Sequence, residues 1–523
     1  MPEKPGNIAA GMDNGQTKEG VAMAQQKILI ADLMSQSGVK FGTSGARGLV
    51  SDMTDMVCYS YTVGFIQYLE QTGELLGSGP MGVAGDLRPS TDRIMAAVGE
   101  AIRHKGYTPI NLGKIPSPAL ALWGITKKIP TAMVTGSHIP DDRNGIKYTK
   151  KQGEILKPDE AGITSQTIEI PRDLFDSNGM FRSQPALDDI STEGLDLYTR
   201  RYLEFFPAGC LDGKRIGVYQ HSAVGREIVV NILEGLGATV KPLGWSDKFI
   251  PVDTEAIRHE DRESAKNWVK EYALHAIVST DGDSDRPMVS DENGQWLRGD
   301  IAGIICASYL GADSVVTPVS CNSSVEKSGF FKEVIRTRIG SPYVIEAMIE
   351  AEEKGAEMVV GYEANGGFLL QSPVRRFGAS LAPLPTRDAL IVHLSVLLSS
   401  IEKSCPISNL LDRLPARFTY SDRLKHFPNE LAHEKLSKLH SGDFENDSAA
   451  IEKLFASQFG KVVSIDNTDG VRITFDNQDV VHLRPSGNAP EFRCYTESGS
   501  VRQAKHINAL ALDSIRSWLK ETP

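Results

Sequence analysis

Cysteine pairs, long apolar runs and a secretory leader are all missing from this sequence, and each absence excludes a class of protein. The six cysteines form no CxxC pair, which argues against a zinc site or a disulfide framework and favours a reducing cytoplasm. No apolar run reaches the roughly 18 residues that a membrane helix needs. The N-terminus carries Lys4 but lacks the apolar segment of a secretory signal. We therefore expect a cytoplasmic protein with no membrane partner.

An excess of positive charge is missing as well. The net charge of −11 argues against nucleic acid as a partner, whereas hydrophobic and charged shares of 41% and 24% are ordinary for a globular protein. An anionic small molecule stays compatible with this balance, because local basic groups can set the field inside a cleft. At about 150 residues per domain, the length of 523 residues predicts three or four domains.

Strand and helix signals alternate along most of the chain, as doubly wound α/β layers require. Residues 1–20 are polar and predict disorder, and residues 21–34 are compatible with a short helix. The charged stretch 406–447 is predicted to bridge to a smaller last domain. In that domain, alternation over 470–483 predicts an antiparallel hairpin, and residues 504–519 predict an amphipathic helix that covers the sheet.

The first candidate site is the loop TGSHIPDDRNGIK, which follows a short apolar strand at residues 132–134. Gly136 frees the backbone and Pro140 ends the strand, so Ser137 lies where α/β proteins present reactive groups. A serine in a polar loop is, taken alone, usually a turn residue. His138 is a poor base for Ser137, because neighbours in an extended segment point to opposite sides.

A second candidate site, DGDSDR, follows the strand predicted at residues 275–280. Asp281, Asp283 and Asp285 alternate, so their carboxylates can converge on one divalent cation. An EF-hand loop is the alternative, but Arg286 stands where that loop needs glycine, and a strand precedes the motif instead of a helix. A solvated acidic turn fits a DxD pair better than three aspartates closed by an arginine.

Three further motifs offer groups that bind phosphates or sugars. The glycine-rich FGTSGARG includes Arg47, whose guanidinium can bind phosphate. In GYEANGG, Glu363 and Asn365 lie two residues apart and can bond adjacent hydroxyls of a sugar. RPSGNAPEFR combines guanidinium, hydroxyl, amide and backbone donors, which suit a phosphate dianion. The donors in this last motif come from Arg484, Ser486, Gly487, Asn488 and Arg493.

Four of these motifs occur in the same order in the α-D-phosphohexomutase superfamily, which the chain resembles from about residue 40 to residue 497. They are similar to its phosphoserine, metal, sugar and phosphate loops. The resemblance implies an α/β fold with three similar domains and a smaller C-terminal α+β domain around one central cleft. The predicted segments are a disordered or extended 1–37, then domains at 38–190, 191–298, 299–415 and 416–523.

The resemblance also implies a chemistry. Ser137 would be carried as phosphoserine and would exchange its phosphoryl group with a hexose phosphate, with hexose 1,6-bisphosphate as intermediate and activator. One Mg²⁺ would be held by a phosphoserine oxygen and the three aspartates. Arg47 and Lys147 would bind the transferring oxygens, with Lys147 as acid/base candidate and His138 beside them in the catalytic loop. The expected substrate-binding residues are Arg286, Glu363, Asn365, Arg484, Ser486, Gly487, Asn488 and Arg493.

The chain departs from the usual motifs at several positions. Gly136 and Ile139 replace alanine and asparagine, Asn488-Ala489 replaces Thr-Glu, and Gly367 replaces a histidine of many relatives. These changes touch sugar recognition more than phosphoryl transfer.

The leading hypothesis is interconversion of mannose 1- and 6-phosphate by a monomer or homodimer. Glucose phosphates or dual specificity are the nearest alternative, and glucosamine phosphate is a remoter one. A phosphatase is another hypothesis. An inactive sugar-phosphate-binding protein is disfavoured because the catalytic set is complete.

Overall fold

The computed structural model describes residues 26–42, 45–171, 173–455, 458–486 and 490–520. Its strands are β1 Gln26–Leu29, β2 Lys40–Phe41, β3 Ala46–Leu49, β4 Pro80–Gly85, β5 Thr108–Lys114, β6 Thr131–Val134, β7 Arg143–Thr149, β8 Thr167–Ile170, β9 Arg215–His221, β10 Thr239–Trp245, β11 Ala276–Thr280, β12 Pro287–Val289, β13 Ser314–Pro318, β14 Glu333–Thr337, β15 Val359–Tyr362, β16 Phe368–Leu370, β17 Val374–Arg376, β18 Ala379–Leu381, β19 Phe418–Lys425, β20 Val462–Asp466, β21 Val471–Phe475, β22 Val480–Pro485 and β23 Glu491–Ser498. Its α-helices are α1 Ile30–Ser37, α2 Asp55–Gln71, α3 Thr91–His104, α4 Ser117–Lys127, α5 Lys157–Thr164, α6 Glu193–Phe205, α7 Arg226–Gly235, α8 His259–Glu271, α9 Gly299–Leu310, α10 Ser324–Lys327, α11 Ser341–Glu353, α12 Ala389–Glu402, α13 Ile407–Leu410, α14 Asn429–Ser437, α15 Phe444–Phe455 and α16 Val501–Arg516.

The first domain is built on a six-stranded sheet in the order β2-β3-β7-β6-β4-β5. Strand β4 runs parallel to β5 and β6, and α3 and α4 pack on it. All four residues of β6 are buried, as expected of a strand covered on both faces. Strand β7 then returns antiparallel to β6, so the Ser137 loop connects the two strands.

The second and third domains repeat this arrangement with four-stranded sheets, in the orders β10-β9-β11-β12 and β14-β13-β15-β16. In each sheet, a buried parallel strand is followed by a short loop and an antiparallel partner. The DGDSDR motif lies between β11 and β12, and GYEANGG between β15 and β16. Three candidate loops therefore occupy the same topological position in three similar domains.

The fourth domain is a five-stranded antiparallel sheet in the order β19-β23-β22-β21-β20, covered by α16 as predicted. The stretch 406–447, which is predicted to bridge to this domain, also contributes elements to it. These residues include β19, which pairs with β23 over its whole length, and α14, which packs on β22 and β23. The stretch is polar because β19 is an edge strand with most of its side chains exposed.

The N-terminal prediction meets the structure only in part. The predicted disorder over 1–20 lies outside the described residues. Residues 30–37 differ from the expected disordered or extended segment, because they form α1, with Ile30 and Leu33 buried in the core of the first domain. The predicted helix over 21–34 also starts too early, since β1 precedes α1 and pairs antiparallel with β8. None of the predicted domain boundaries interrupts a helix or strand, and they stay proposals.

A continuous apolar core joins the first three domains, with buried members that run from Ala84 to Leu410. Most residues of helix α12 are buried, and many of them belong to this core. Within the described residues, no single helix has the length and apolar character to cross a membrane. Together α12 and the segment Ile407–Arg413 pass that test by length and composition, but they meet at a 90° bend.

Candidate active site

Ser137 lies at the point where the first and second domains meet. It is 1% exposed and adopts a left-handed backbone conformation with φ of 56°. Its Oγ donates a hydrogen bond to Oδ2 of Asp281 at 2.6 Å. A Cβ atom at Gly282 would lie 2.7 Å from the main-chain oxygen of Ser137, so only glycine permits this close approach. The structure thus brings the first two sequence motifs into direct contact.

Arg88 holds the serine loop in shape, although sequence reasoning did not single it out. Its buried guanidinium donates to the main-chain oxygens of Ser137 at 2.8 Å, Pro140 at 2.7 Å and Arg143 at 2.9 Å. Nε of the same guanidinium donates to Oδ2 of Asp86 at 3.1 Å. The sequence did contain a signal, the motif GDLRPS after a buried strand. It includes Asp86 and Arg88, two opposite charges that have to pair if both are buried.

The same guanidinium explains why glycine replaces the usual alanine in the serine loop. A Cβ atom at Gly136 would lie 2.6 Å from Cζ of Arg88. The loop's own hydrogen bonding is intact, because the amide of Ser137 donates to Oγ1 of Thr135 at 2.8 Å. Thr135 in turn donates to Asp86 at 2.7 Å.

Asp281, Asp283 and Asp285 form a buried cluster in which one carboxylate oxygen of each lies within 4.8 Å of the others. Among the described residues, Oδ1 of Asp283 and Oδ1 of Asp285 are buried without a hydrogen-bond donor. Unpartnered carboxylate oxygens in a buried cluster suit a hard divalent cation. The residues present therefore fit the metal that the sequence motif predicts.

The charges around this cluster are unevenly balanced. Burial, and then the carboxylates of Asp283 and Asp285, raise the pKa of Asp281 well above its usual range. Burial also acts to raise the pKa of Asp285, but Arg387, Lys147 and Arg286 outweigh it and hold that pKa below its usual range. The cluster thus keeps Asp285 ionised and disfavours the negative charge on Asp281.

Lys147 supplies much of the compensating charge. Its Nζ donates to Oδ2 of Asp283 at 2.6 Å and to Oδ2 of Asp285 at 2.8 Å. Ser117, at the start of α4, also donates to Oδ2 of Asp283 at 2.6 Å. Arg47 lies within electrostatic range of the same carboxylates, and burial lowers its pKa to about 10, so it stays charged at neutral pH.

His138 lies beside Ser137 but is not placed to remove its proton. Its Nδ1 accepts a hydrogen bond from Arg286 at 2.8 Å, and the Oγ of Ser137 is 3.5 Å away. Burial first, and then the guanidinium groups of Arg286 and Arg47, lower the pKa of His138 to about 2. The imidazole is therefore neutral. The expectation that the two neighbouring side chains point to opposite sides is wrong, because Ser137 is in the left-handed region and not in an extended segment.

The sugar-loop motif GYEANGG contacts residues of the third and second domains. Glu363 is 5% exposed, and its Oε2 accepts a hydrogen bond from Arg387 at 3.3 Å. The Oδ1 of Asn365 is engaged within the loop, because it accepts from the amide of Gly367 at 2.8 Å. The main-chain oxygen of Asn365 accepts from Thr254 of the second domain at 2.8 Å. Sequence reasoning missed Arg387, which lies outside any motif.

The fourth motif presents two arginines side by side. Arg484 and Arg493 are directly opposite each other on β22 and β23, and Arg493 is also opposite Arg423 on β19. Like charges in opposed positions destabilise a sheet unless an anion or acid lies between them. Arg484 contacts Asp469 at 3.4 Å, and Ser486 is buried at the turn. Gly487 and Asn488 lie outside the described residues.

A pocket at the junction of the second, third and fourth domains links this hairpin to the other loops. Its lining includes Glu255 and Arg298 from the second domain, Ala364 from the sugar loop, and Tyr420 and Tyr495 from the fourth domain. Glu255 is within electrostatic range of Arg286, Glu363 and Arg493. The sugar loop and the sheet of the fourth domain therefore line one pocket, and Glu255 links that pocket electrostatically to Arg286 of the metal loop.

Comparison with known proteins accounts for this arrangement. Residues 38–172, 201–294 and 298–418 match domains I, II and III of the family described as phosphoglucomutase/phosphomannomutase, alpha/beta/alpha. A phosphomannomutase of Salmonella muenchen is 44% identical over 494 residues, which cover 93% of this chain and 98% of that protein. The chain belongs to the phosphoglucomutase/phosphomannomutase family.

Other members of this phosphohexomutase superfamily are similar over most of their length. A phosphomannomutase of Sinorhizobium fredii is 42% identical, covering 92% of this chain and 99% of that protein. A phosphoglucosamine mutase of Thermotoga maritima is 26% identical, covering 84% and 95%. The solved structure of a family protein from Burkholderia thailandensis, 18% identical, matches with a TM-score of 0.68 over 91% of this chain and 96% of that one. The predicted four-domain phosphohexomutase fold is confirmed.

Proposed function

We propose that this family member is a phosphomannomutase, which interconverts mannose 1-phosphate and mannose 6-phosphate through phosphorylated Ser137. The hydrogen bond between Ser137 and Asp281 carries the proposal, because it places a buried serine hydroxyl directly on a cation-ready carboxylate cluster. The choice of mannose rests on the names of the relatives at 44% and 42% identity.

The reaction consists of two phosphoryl transfers in opposite directions. The ester P–O bond of phosphoserine 137 breaks and a new P–O bond forms to the free hydroxyl of the hexose phosphate. The hydroxyl proton passes to a base, and the departing Oγ of Ser137 takes up a proton. The hexose 1,6-bisphosphate then turns in the cleft and returns its other phosphoryl group to Ser137. Added hexose 1,6-bisphosphate activates the enzyme because it phosphorylates Ser137.

Each basic group of the junction has a place in this scheme. Lys147 is the acid/base candidate, because its Nζ lies within 2.8 Å of two cluster carboxylates and next to the transfer site. Arg47 and Arg286 neutralise transferring oxygens, which is the main requirement of phosphoryl transfer. Neutral His138 orients Arg286 instead of accepting a proton. The three aspartates and a phosphoserine oxygen would hold Mg²⁺, which would supply Lewis acidity when bound.

The remote end of the substrate is held by the fourth domain. Opposed Arg484 and Arg493, with Ser486, Gly487 and Asn488, bind the phosphate that does not react. Glu363 and Asn365 bind sugar hydroxyls between the two ends. Because recognition is divided in this way, either phosphate of the bisphosphate can occupy the reactive end. We further propose a cytoplasmic monomer or homodimer.

The test is phosphorus NMR on the purified protein with Mg²⁺ and a trace of hexose 1,6-bisphosphate. Mannose 1-phosphate and glucose 1-phosphate are supplied in separate samples. We expect the 6-phosphate signal to grow faster with mannose, and Ser137→Ala to abolish this growth while Ser437→Ala, at an exposed site, does not. Faster conversion of glucose would replace mannose by glucose in the proposal, and release of inorganic phosphate alone would identify a phosphatase.

A further inference from the structure

Arg387 links two loops that come from different domains. It lies just before α12, and its side chain is 3% exposed. Its Nε donates to Oδ2 of Asp285 in the metal loop at 3.0 Å, and its NH1 donates to Oε2 of Glu363 in the sugar loop at 3.3 Å. One guanidinium therefore fixes the relative position of a cation-binding carboxylate and a sugar-binding carboxylate.

The position of Arg387 also accounts for the absence of a side chain at Gly367. A Cβ atom at Gly367 would lie 2.4 Å from Cδ and 2.6 Å from Cγ of Arg387. The aliphatic part of the arginine thus occupies the space that any side chain at position 367 would need. Gly367 therefore leaves room for the side chain of Arg387, which comes from a different segment of the chain.

The segment around Arg387 is anchored independently of its guanidinium. Thr386 donates to Oε1 of Glu154 at 2.5 Å, and Asp388 accepts from Tyr198 at 2.5 Å and caps α12 through the amide of Leu390. The main chain on either side of Arg387 therefore has its own contacts. A change of the guanidinium is expected to alter the two carboxylates that it binds without releasing the segment.

We propose that Arg387 is the specificity-determining positioning residue of the sugar site, because it holds the carboxylate of Glu363 in register with Asp285 and fills the space beside Gly367. This inference deepens the proposed function and rests on it. Arg387 acts through Glu363, so its loss changes how well the sugar is bound and distinguished. Binding of a bare phosphate by the fourth domain does not depend on it.

The test compares Arg387→Gln, Arg387→Lys and Gly367→Ala, singly and with Arg387→Gln combined with Gly367→Ala. The matched control is Arg376→Gln, since Arg376 lies in the same domain and pairs with Glu402 at 2.6 Å outside the cleft. Steady-state rates with mannose 1-phosphate and glucose 1-phosphate give kcat and KM. Calorimetry measures binding of mannose 1-phosphate and of inorganic phosphate to each variant.

For Arg387→Gln we expect about a tenfold rise in KM and in the Kd of mannose 1-phosphate, the effect of losing one charged hydrogen bond. The mannose-to-glucose rate ratio shifts, Arg387→Lys restores part of the loss, and the Kd of inorganic phosphate stays within about twofold. Gly367→Ala has a similar effect because it displaces Arg387. The double variant is no worse than Arg387→Gln alone, because both changes act through one guanidinium.

Unchanged binding of mannose 1-phosphate by Arg387→Gln would overturn the inference. Equal losses for both sugars with unchanged KM, or full additivity in the double variant, would do the same. These outcomes differ from failure of the proposed function, in which the wild-type protein converts neither sugar phosphate.

Discussion

The junction of the first three domains and the attachment of the fourth domain are built in opposite ways. At the junction, a shared apolar core supports a dense group of buried charges that includes Lys147, Arg387 and the three aspartates. The fourth domain has a core of its own, whose buried members all lie between Leu424 and Trp518. The junction is held by packing as well as charge, whereas the fourth domain is attached through polar contacts.

Glu497 is the centre of that attachment. Its carboxylate accepts from Nε of Arg417 at 2.5 Å and from the amide of Ser323 at 3.0 Å, and it also bonds the hydroxyl of Ser323. Lys327 contacts Gln478 at 2.8 Å nearby. Hydrogen bonds between domains can be replaced by hydrogen bonds to water at a small net cost in free energy. Separating a shared apolar core costs more, because it exposes apolar surface to water.

The difference matches the division of labour in the proposed reaction. Phosphoryl transfer depends on positions held to a fraction of an ångström, which favours a packed junction. The group that holds the remote phosphate has to accept a bisphosphate in two orientations, which favours a looser attachment. Variants that change one region and leave the other intact test this reading.

The largest effect is expected for Asp281→Asn. Because the folded protein disfavours charge on Asp281, its raised pKa means that the ionised carboxylate lowers stability at neutral pH, and the neutral amide removes this repulsion. We expect activity to fall on the order of 10³-fold, while the Tm in EDTA rises. Calorimetry with EDTA or Mg²⁺ checks this, and Mg²⁺ should raise the Tm of the wild type more than that of the variant.

Asp291→Asn is the control, since Asp291 is a buried aspartate of the same domain that accepts turn amides instead of facing the cluster. It should keep its activity. If Asp281→Asn has a lower Tm than the wild type in EDTA, the view that the negative charge of Asp281 destabilises the junction is wrong.

Arg88→Lys is expected to have the next largest effect. Lysine cannot reproduce the planar fork that bonds several loop oxygens, so Ser137 shifts relative to Asp281. We expect kcat to fall about 10²-fold, with a smaller change in KM. Rate measurements check this against Arg103→Lys, an arginine of the same domain paired at the surface with Asp188. An unchanged kcat would mean that the serine loop keeps its shape without Arg88.

Glu497→Gln tests the other side of the comparison. It removes the negative charge that accepts from Ser323 of the third domain and from Arg417 at the start of the fourth, at a cost of about 2 kcal/mol in the attachment of the fourth domain. We expect faster amide hydrogen exchange in residues 418–520 than in the rest of the chain, and a rise in KM with little change in kcat. Exchange that increases equally throughout would show that the fourth domain is not separable, and Glu434→Gln at an exposed pair is the control.

The smallest effect is a pH dependence of stability that differs between the two regions. Burial lowers the pKa values of His393 in α12 and His482 in β22 to about 4. As pH falls, each of these histidines takes up a proton in the unfolded chain before it does so in the folded chain. The stabilisation is therefore fully present above pH 6.5, and the free energy of unfolding decreases toward pH 4 by about 1.4 kcal/mol per pH unit for each histidine.

Calorimetry between pH 7 and pH 5 separates the two contributions. His393→Gln should reduce the pH dependence of the unfolding of domains one to three, to which buried His221 and His138 also contribute. His482→Gln should flatten that of the fourth domain. If either variant changes both transitions equally, the two regions unfold as one unit and the comparison fails.

Much of the site was predictable because its motifs are local. Each of the four loops follows a strand whose apolar pattern can be recognised over a few residues, and Ser137 or the three aspartates need no distant partner to be noticed. Edge strands were harder, because the polar pattern of β19 resembles that of a linker.

The sequence alone determined the order of the motifs, the alternation of strands and helices, and the chemical identity of the groups at each loop. Only the tertiary structure decided which of them meet. Ser137 and Asp281 are 144 residues apart, and Arg387 reaches Asp285 across 102 residues. Arg387 and Glu497 have no local pattern, and Arg88 shows only its pairing with nearby Asp86, because their roles arise from buried charges that must find partners once the domains pack.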